Sequence, residues 1–280
     1  MADLHLGLIG DNISRSSAHR LHRLAGQQNG LDVRYDRLIP IDLGVPFDQV
    51  FLDCAAGNFR GLNITYPYKE QAILKVTVED EQVRRIGAIN TVVFSDRGPL
   101  GFNTDYSGFI EAYRTVRRDK APGIVAQIGA GGVGRAVAFG LLTLGVRELR
   151  IADRDPDKAL SLAKELRRAA SDTEIVTAAT VEEIAPGANG LINGTPVGMI
   201  GYPGTPIPGW LVAQAEWAFD AVYTPVDTQF LNEATRAGLE VISGYELFFY
   251  QGVNAWTFFS GMPLDLARLR SDLMAGKGGD

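Results

Sequence analysis

The feature that most constrains this chain is the segment from Ile124 to Asp153. An apolar run, Ile124 to Ile128, ends in Gly129-Ala130-Gly131-Gly132-Val133-Gly134 and passes directly into a helical pattern from Val133 to Leu144. A second strand-like run, Glu148 to Ala152, follows and closes on Asp153. The glycines have distinct physical jobs: Gly129 permits a tight turn, Gly131 lets a ligand approach the backbone, and Gly134 lets the helix lie close to the strand. Free backbone N–H groups and the positive end of the helix dipole then meet at one spot suited to a pyrophosphate. A glycine-rich turn alone is weak evidence. The strand before it, the helix after it and the acid ending the next strand together predict a dinucleotide site. An aspartate at position 153 accepts hydrogen bonds from both ribose hydroxyls of an adenosine and repels a 2′-phosphate, which predicts NAD over NADP. Two other readings stand beside this one. Asp153 fits a cap for the helix from Pro156, although Asp155 is better placed for that role. Arg154 fits a partner for a 2′-phosphate or a stacking surface for adenine.

The order continues with a helix from Pro156 to Ala170 and strands at Glu174 to Thr177, Gly190 to Asn193, Trp217 to Ala221 and Leu239 to Ile242. Repeated strand-helix order argues for an α/β fold with a doubly wound parallel sheet. Upstream lies a separate α/β half. Its strands are Leu4 to Ile9, Leu31 to Ile39, Gly61 to Thr65 and Thr91 to Phe94, with helices at Pro46 to Ala56 and Asp80 to Ile86. The turn Asp96-Arg97-Gly98-Pro99 joins the last of these strands to Leu100 to Phe102 as a hairpin would. A polar connector from Arg117 to Gly123 precedes the glycine segment, and two helical stretches, Tyr245 to Ser260 and Leu264 to Met274, fit against either half. With 280 residues, 46% of them hydrophobic, the chain is long enough to bury two cores.

Charge and composition narrow the function classes. A net charge of -6 disfavours nucleic acid or an anionic membrane as partner. No apolar run approaches the roughly 18 residues of a membrane span, and Met1 to Leu6 lacks the basic flank and apolar core of a signal peptide. A cytoplasmic protein is therefore expected. The single cysteine, Cys54, permits no intramolecular disulfide and reads as a helix packing position. His5, His19 and His22 have no partner at ligand-like spacing, so no metal site is expected.

An alcohol dehydrogenase needs a group to handle the hydroxyl proton while hydride leaves carbon. Lys69, after a strand end stopped by Pro67, and Asp105, where a strand gives way to a helix, are the candidates. Each also fits a local role, Lys69 as a solvated lysine and Asp105 as an acid complementing a helix dipole. Nearby carboxylate charge would raise a lysine's pKa and favour it as an acid or electrostatic partner over a base, so spacing leaves the two roles open. Asn90 and Asn103 can reach a substrate hydroxyl or satisfy turn backbone. Ser14 and Ser16 can cap the helix through Leu21 and Leu24 or donate to a carboxylate. Gln251 lies in an otherwise apolar helix, where a buried amide needs a partner.

Taken together, these segments resemble the shikimate/quinate dehydrogenase family over almost the whole chain. The motifs, in order, are Ser14-x-Ser16, Asn63-Ile64-Thr65-x-Pro67-x-Lys69, Gly87-Ala88-Ile89-Asn90-Thr91, Asn103-Thr104-Asp105, Gly129-Ala130-Gly131-Gly132 and Asn193-Gly194-Thr195-Pro196-Val197-Gly198-Met199. Asp220-Ala221-Val222-Tyr223-x-Pro225 and Gln251 extend the match. The resemblance implies an N-terminal substrate domain, 1–104 completed by 245–280, facing a Rossmann domain, 105–244, across a cleft. It implies that Lys69 and Asp105 handle the proton, that Ser14 and Ser16 hold a substrate carboxylate, and that Thr65, Asn90, Asn103 and Gln251 hold ring hydroxyls. Tyr223 would lie near the substrate. The cofactor side would comprise Gly129, Ala130, Gly131, Gly132, Val133, Gly134, Asp153, Arg154, Thr195, Val197, Met199, Val222 and Gly244.

The implied reaction is NAD-linked oxidation or reduction of a ring hydroxyl of shikimate, and after it quinate. An aminoshikimate-type or other cyclic hydroxy acid, or a non-catalytic dinucleotide-binding protein, are the alternatives. Members using NADP typically carry Asn-Arg-Thr where this chain has Asp153-Arg154-Asp155. Ser17 replaces a usual proline, Arg20 stands where the family has histidine, and Tyr66 and Tyr68 are bulky. Nothing in the sequence chooses between a monomer and a homodimer.

Overall fold

The computed structural model describes residues 3–275. They form two compact units: 3–104 with 251–275, and Asp105–Tyr250. The division thus falls inside the helix Gly244–Ser260. The expected completion of the first domain also included 276–280, which, like Met1 and Ala2, lie outside the described residues.

The first unit is built on a five-stranded sheet, with strands β1 (Leu4–Ile9), β2 (Val33–Leu38), β3 (Gly61–Ile64), β4 (Thr91–Ser95) and β5 (Gly98–Phe102) in the order β2-β1-β3-β4-β5. The first three run parallel, and β4 is antiparallel to both its neighbours. Period-two alternation divides the apolar residues between two faces. Val92 joins Ile9, Leu62 and Ile64 against Phe47, Val50, Phe51 and Cys54 of the helix Phe47–Ala56. Val93, its neighbour, joins Leu6 and Val33 against Ala25, Ala255, Trp256 and Phe259. Cys54 is buried, and its thiol is pushed up to about 12, chiefly by that burial. The β4–β5 turn is tighter than expected. Ser95 pairs with Gly98, leaving Asp96 and Arg97 as the two-residue loop, and the positive φ of Gly98, 97°, admits it. Pro99 is tolerated because β5 is an edge strand.

The second unit has a six-stranded, all-parallel sheet. Its strands are β6 (Ile124–Ile128), β7 (Glu148–Ala152), β8 (Glu174–Ala178), β9 (Gly190–Asn193), β10 (Trp217–Asp220) and β11 (Glu240–Ile242), ordered β11-β10-β9-β6-β7-β8. The chain leaves β6 in one direction through β7 and β8, then returns to the other side of β6 for β9, β10 and β11. The reversal between β6 and β9 is a topological switch point, where open α/β sheets leave a crevice beyond their strand ends. Several helices went unrecognised in the sequence, among them Pro40–Leu43, Val181–Ile184, Gly209–Val212 and the longer Gln229–Arg236, which buries Phe230, Leu231 and Ala234. The last is started by Thr228, whose hydroxyl accepts from the Leu231 N–H at 3.2 Å. No described helix is long and apolar enough to cross a membrane, and no group of three or more His, Cys, Asp or Glu among the described residues is arranged to hold a metal.

Candidate functional site

In the first unit, sheet register brings the polar candidates to one end. Ile9 pairs with Ile64, so the loop after β1, carrying Ser14 and Ser16, emerges beside the loop after β3, carrying Thr65 and Lys69. Gly10 makes that approach possible, since a Cβ there would lie 2.3 Å from Thr65 Cγ2. Two bonds tie the loops: Asp11 N–H donates to the Tyr66 carbonyl at 3.2 Å, and the Tyr68 hydroxyl donates to Asp11 Oδ1 at 2.6 Å. Burial, then the contact with Asp11, pushes the Tyr68 phenol up to about 12, so it stays a donor. Ser14 is exposed, whereas Ser16 is buried and its hydroxyl accepts from Ala18 N–H at 3.3 Å. Lys69 opens the short helix Lys69–Ala72, half-buried, and its carbonyl accepts from Ile89 N–H at 3.0 Å. That bond links the lysine's backbone to the segment presenting Asn90.

Antiparallel pairing sets Asn63 opposite Thr91, and Thr91 opposite Phe102, which carries Asn90 and Asn103 to the same end. Asn90 is buried and heavily engaged. Its Oδ1 accepts from the Thr104 N–H (2.7 Å) and from the hydroxyls of Thr104 (3.1 Å) and Thr91 (3.2 Å). Its Nδ2 donates to Thr104 Oγ1 at 2.9 Å and to Gln251 Oε1 at 3.4 Å. Asn90 therefore anchors the start of the helix Thr104–Arg117, whose second residue is the buried Asp105. Asn103 donates from Nδ2 to the Ala88 carbonyl at 2.8 Å. Behind them Asn63 accepts from the Tyr35 hydroxyl (2.9 Å) and from His22 Nε2 (3.1 Å). His22 is wholly buried among Tyr35, Trp256 and Phe259, and burial holds its imidazole down at about 4. The ring is neutral at pH 7.

The second unit assembles its candidates at the carboxyl ends of β6, β7, β9 and β10. Gly129 has φ +101°, and a Cβ there would lie 2.7 Å from the backbone of Gly194. A Cβ on Gly134 would lie 2.2 Å from the Gly129 carbonyl oxygen, so the helix Gly132–Thr143 can start this close to β6 only with glycine at 134. Gln127, fully buried in β6, donates from Nε2 to the carbonyls of Gly129 (2.8 Å) and Gly134 (2.9 Å) and fixes the turn from beneath. Gly131 and Gly132 form the N-cap and first residue of that helix, and its first turn carries no acid to repel an anion. Asp153 follows β7 directly. Its Oδ2 accepts from the Ala130 N–H at 2.7 Å and its Oδ1 from the Asp155 N–H at 2.9 Å, while Asp155 caps the helix Pro156–Ala169 through the Asp157 N–H. Arg154 is exposed.

Thr195, Val197 and Met199 lie half-buried in the loop after β9; in the turn after β10 Val222 is buried and Tyr223 half-buried. Tyr223 stacks on Phe248 with ring centroids 4.8 Å apart. Gly244 begins its helix where a Cβ would meet the Val222 carbonyl at 2.3 Å. Sequence reasoning gave Asn193 and Asp220 no role beyond motif membership, although both are fully buried in this region. The signal was present: a polar residue ending an otherwise apolar strand, twice.

A glycine turn at a sheet switch point, a helix N-terminus behind it and an acid on the neighbouring strand define a Rossmann-type nucleotide-binding unit. The comparisons agree. Residues 8–92 match the shikimate dehydrogenase substrate binding domain, and 124–186 match the model described as NADP oxidoreductase coenzyme F420-dependent. A quinate/shikimate dehydrogenase (NAD(+)) of Corynebacterium efficiens is 35% identical, with 96% of this chain and 97% of that protein covered. A shikimate dehydrogenase (NADP(+)) of an Arthrobacter species is 36% identical, with 96% and 94% covered. Among solved structures, quinate dehydrogenase from Corynebacterium glutamicum in complex with NAD superposes with a TM-score of 0.87 at 33% identity, covering 97% of this chain and 99% of that one. The chain belongs to the shikimate/quinate dehydrogenase family and is an oxidoreductase of the shikimate dehydrogenase type.

Proposed function

We propose that this chain catalyses reversible NAD-linked oxidation of a ring hydroxyl of shikimate to 3-dehydroshikimate, with quinate and 3-dehydroquinate as the second pair handled by the same residues. In this reading 3–104 with 251–275 holds the substrate and Asp105–Tyr250 holds the dinucleotide. The observation that carries the NAD preference is Asp153. Relatives of nearly equal identity are named for NAD(+) and for NADP(+), so the name alone is no guide. The carboxylate ending β7 is tied by two backbone N–H groups, which keeps a negative charge where a 2′-phosphate would sit and leaves lone pairs for ribose hydroxyls.

NAD, when bound, supplies the acceptor for the hydride. The chain's own work is to bind, orient and move a proton. Ser14 and Ser16 donate to the substrate carboxylate, with the Ser16 hydroxyl oriented by its bond from Ala18 N–H. Thr65, Asn90, Asn103 and Gln251 hold the ring hydroxyls, and Tyr223 packs beside the ring. Lys69 and Asp105 take up the hydroxyl proton as the carbon is oxidised and return it in the reverse direction. Backbone N–H groups of Gly131 to Gly134, at the start of the helix, hold the pyrophosphate on the turn made by Gly129 and Ala130. Thr195, Val197, Met199, Val222 and Gly244 hold the nicotinamide half, and Arg154 lies by the adenosine.

Initial rates of shikimate and quinate oxidation with NAD and with NADP, on wild type and Lys69→Ala, test the reading. Turnover of shikimate with NAD is expected, and Lys69→Ala should lower kcat by about 10²-fold or more, within the usual contribution of a general acid-base group. Near-wild-type kcat in Lys69→Ala at saturating substrate removes Lys69 from the chemistry. Turnover of neither acid by the wild type removes the substrate assignment.

A further inference from the structure

We propose that Asp220 is a positioning residue for the nicotinamide side of the cofactor site: its buried carboxylate clamps the loop after β9 to the turn after β10 and so sets the surface the nicotinamide half meets. The inference rests on the functional reading above, in which Thr195 to Met199 and Val222 contact that half.

Asp220 and Asn193 end adjacent parallel strands and pair in register. Both have no exposed surface. Asp220 Oδ1 accepts from Asn193 Nδ2 at 2.8 Å and from the Val222 N–H at 3.0 Å, and Oδ2 accepts from the Thr228 hydroxyl at 2.6 Å. Asn193 passes the constraint onward. Its Nδ2 also donates to the Val197 carbonyl at 2.9 Å, and its Oδ1 accepts from the Thr195 N–H at 2.9 Å and the Thr195 hydroxyl at 2.7 Å. The Thr195 oxygen in turn accepts from the Val197 N–H at 3.1 Å. A single carboxylate therefore governs both loops, which also meet directly through Ile200 N–H and the Thr224 carbonyl at 3.2 Å. Little slack remains around them, because Gly194 abuts Gly129 on one side and the Val222 carbonyl abuts Gly244 on the other.

A buried carboxylate is an expensive way to fill this space, and an apolar residue of similar volume often gives a more stable core. What an apolar residue lacks is acceptors for three converging donors: Asn193 Nδ2, Val222 N–H and the Thr228 hydroxyl. Asparagine lacks the full set too. Its Oδ1 can keep two donors, but its amide NH2 then stands where Oδ2 accepted from the Thr228 hydroxyl, so that O–H loses its acceptor and must turn away. Burial pushes the Asp220 carboxyl up to about 6 against those three bonds, the balance expected when desolvation outweighs hydrogen bonding.

The consequence is selective. The adenosine and pyrophosphate half is held by other groups, so loss of the clamp should weaken NADH while sparing ADP-ribose, which lacks the nicotinamide. The test is equilibrium titration of wild type, Asp220→Asn, Thr228→Val and Thr228→Ser with NADH and with ADP-ribose, on proteins that melt cooperatively. The expected result is a rise of at least about tenfold in the Kd for NADH in Asp220→Asn, with ADP-ribose within about threefold. Thr228→Val should show a smaller rise of the same selectivity, and Thr228→Ser should bind as wild type. Unchanged NADH binding in Asp220→Asn, or equal losses for both ligands, overturns the proposal. Should Asp220→Asn fail to fold, Thr228→Val decides the matter alone, and wild-type NADH affinity there is the overturning result. A wild type that binds no NADH overturns the functional reading, and this inference with it. A wild type that binds NADH and variants that bind it equally overturn this inference alone.

Discussion

Asp153→Asn isolates the charge on which cofactor choice rests. The side chain keeps its shape, but one carboxylate oxygen becomes an NH2 group facing a backbone N–H, either that of Ala130 or that of Asp155. One of the two bonds is then lost, at a cost of about 1–3 kcal/mol if the buried Ala130 N–H is left without its acceptor and little if the exposed Asp155 N–H turns to water. NAD should bind more weakly for the same reason, since its ribose hydroxyls lose a charged acceptor. NADP responds differently. A unit negative charge about 6 Å from a phosphate carrying roughly two charges costs about 1.5–3 kcal/mol at an effective dielectric of roughly 40–80, and removing it relieves that cost. At about 1.4 kcal/mol per tenfold, the ratio of kcat/KM with NAD to kcat/KM with NADP should fall by about 10- to 100-fold. Initial rates of shikimate oxidation across both cofactors read this ratio directly. A ratio within about threefold of wild type would refute the argument, because both consequences of the substitution, the charged acceptor lost to the ribose hydroxyls and the repulsion removed from the 2′-phosphate, lower it.

Three further outcomes follow from the geometry. Gly134→Ala places a Cβ 2.2 Å from the Gly129 oxygen, so it should abolish measurable NADH binding in a fluorescence titration, and retained affinity would show that the helix start can shift. Thr104→Val should strip Asn90 of its closest side-chain partner and lower kcat for shikimate by about tenfold or more, whereas Thr104→Ser, keeping the hydroxyl, should restore it; equal rates in the two variants would deny the orienting role. His22, held down at about 4 from an ordinary 6.5, takes up fewer protons folded than unfolded between those values. The stability it contributes is full above about 6.5 and is lost as pH falls toward 4, by up to about 3 kcal/mol. Asp220, raised to about 6, acts oppositely, so its burial costs least at low pH. Over pH 7 to 4.5 the two contributions largely offset in the wild type, so His22→Gln should tilt the pH dependence of the thermal melts toward greater stability in acid, and an unchanged slope in that variant would remove His22 from the acid sensitivity.

What was legible in the sequence, and what was not, divides along one physical line. Gly129 and Gly134 announced themselves because their requirements, a positive φ and a missing Cβ, belong to the residue itself. Asp153 was legible as an acid closing a strand, yet its grip on Ala130 was not, because that bond depends on Ile128 and Ala152 pairing in register across β6 and β7. Asn63 and Asn90 show the same limit: as members of motifs they were visible, but their partners lie 28, 41, 14 and 161 positions away. The helix Gln229–Arg236 was missed for a different reason. Its signals, Thr228 as a cap, Phe230, Leu231 and Ala234 on one face and Gly238 beyond its end, are local but span only two turns, and the bond by which Asp220, eight positions upstream, fixes the threonine hydroxyl is not among them. Local backbone demands write themselves into a chain one residue at a time, whereas the polar networks that aim a functional side chain are written in strand register. This is why the glycine turn could be recognised from a handful of letters, and why the clamp built on Asn193 and Asp220, 27 positions apart, emerges only when β9 and β10 lie side by side.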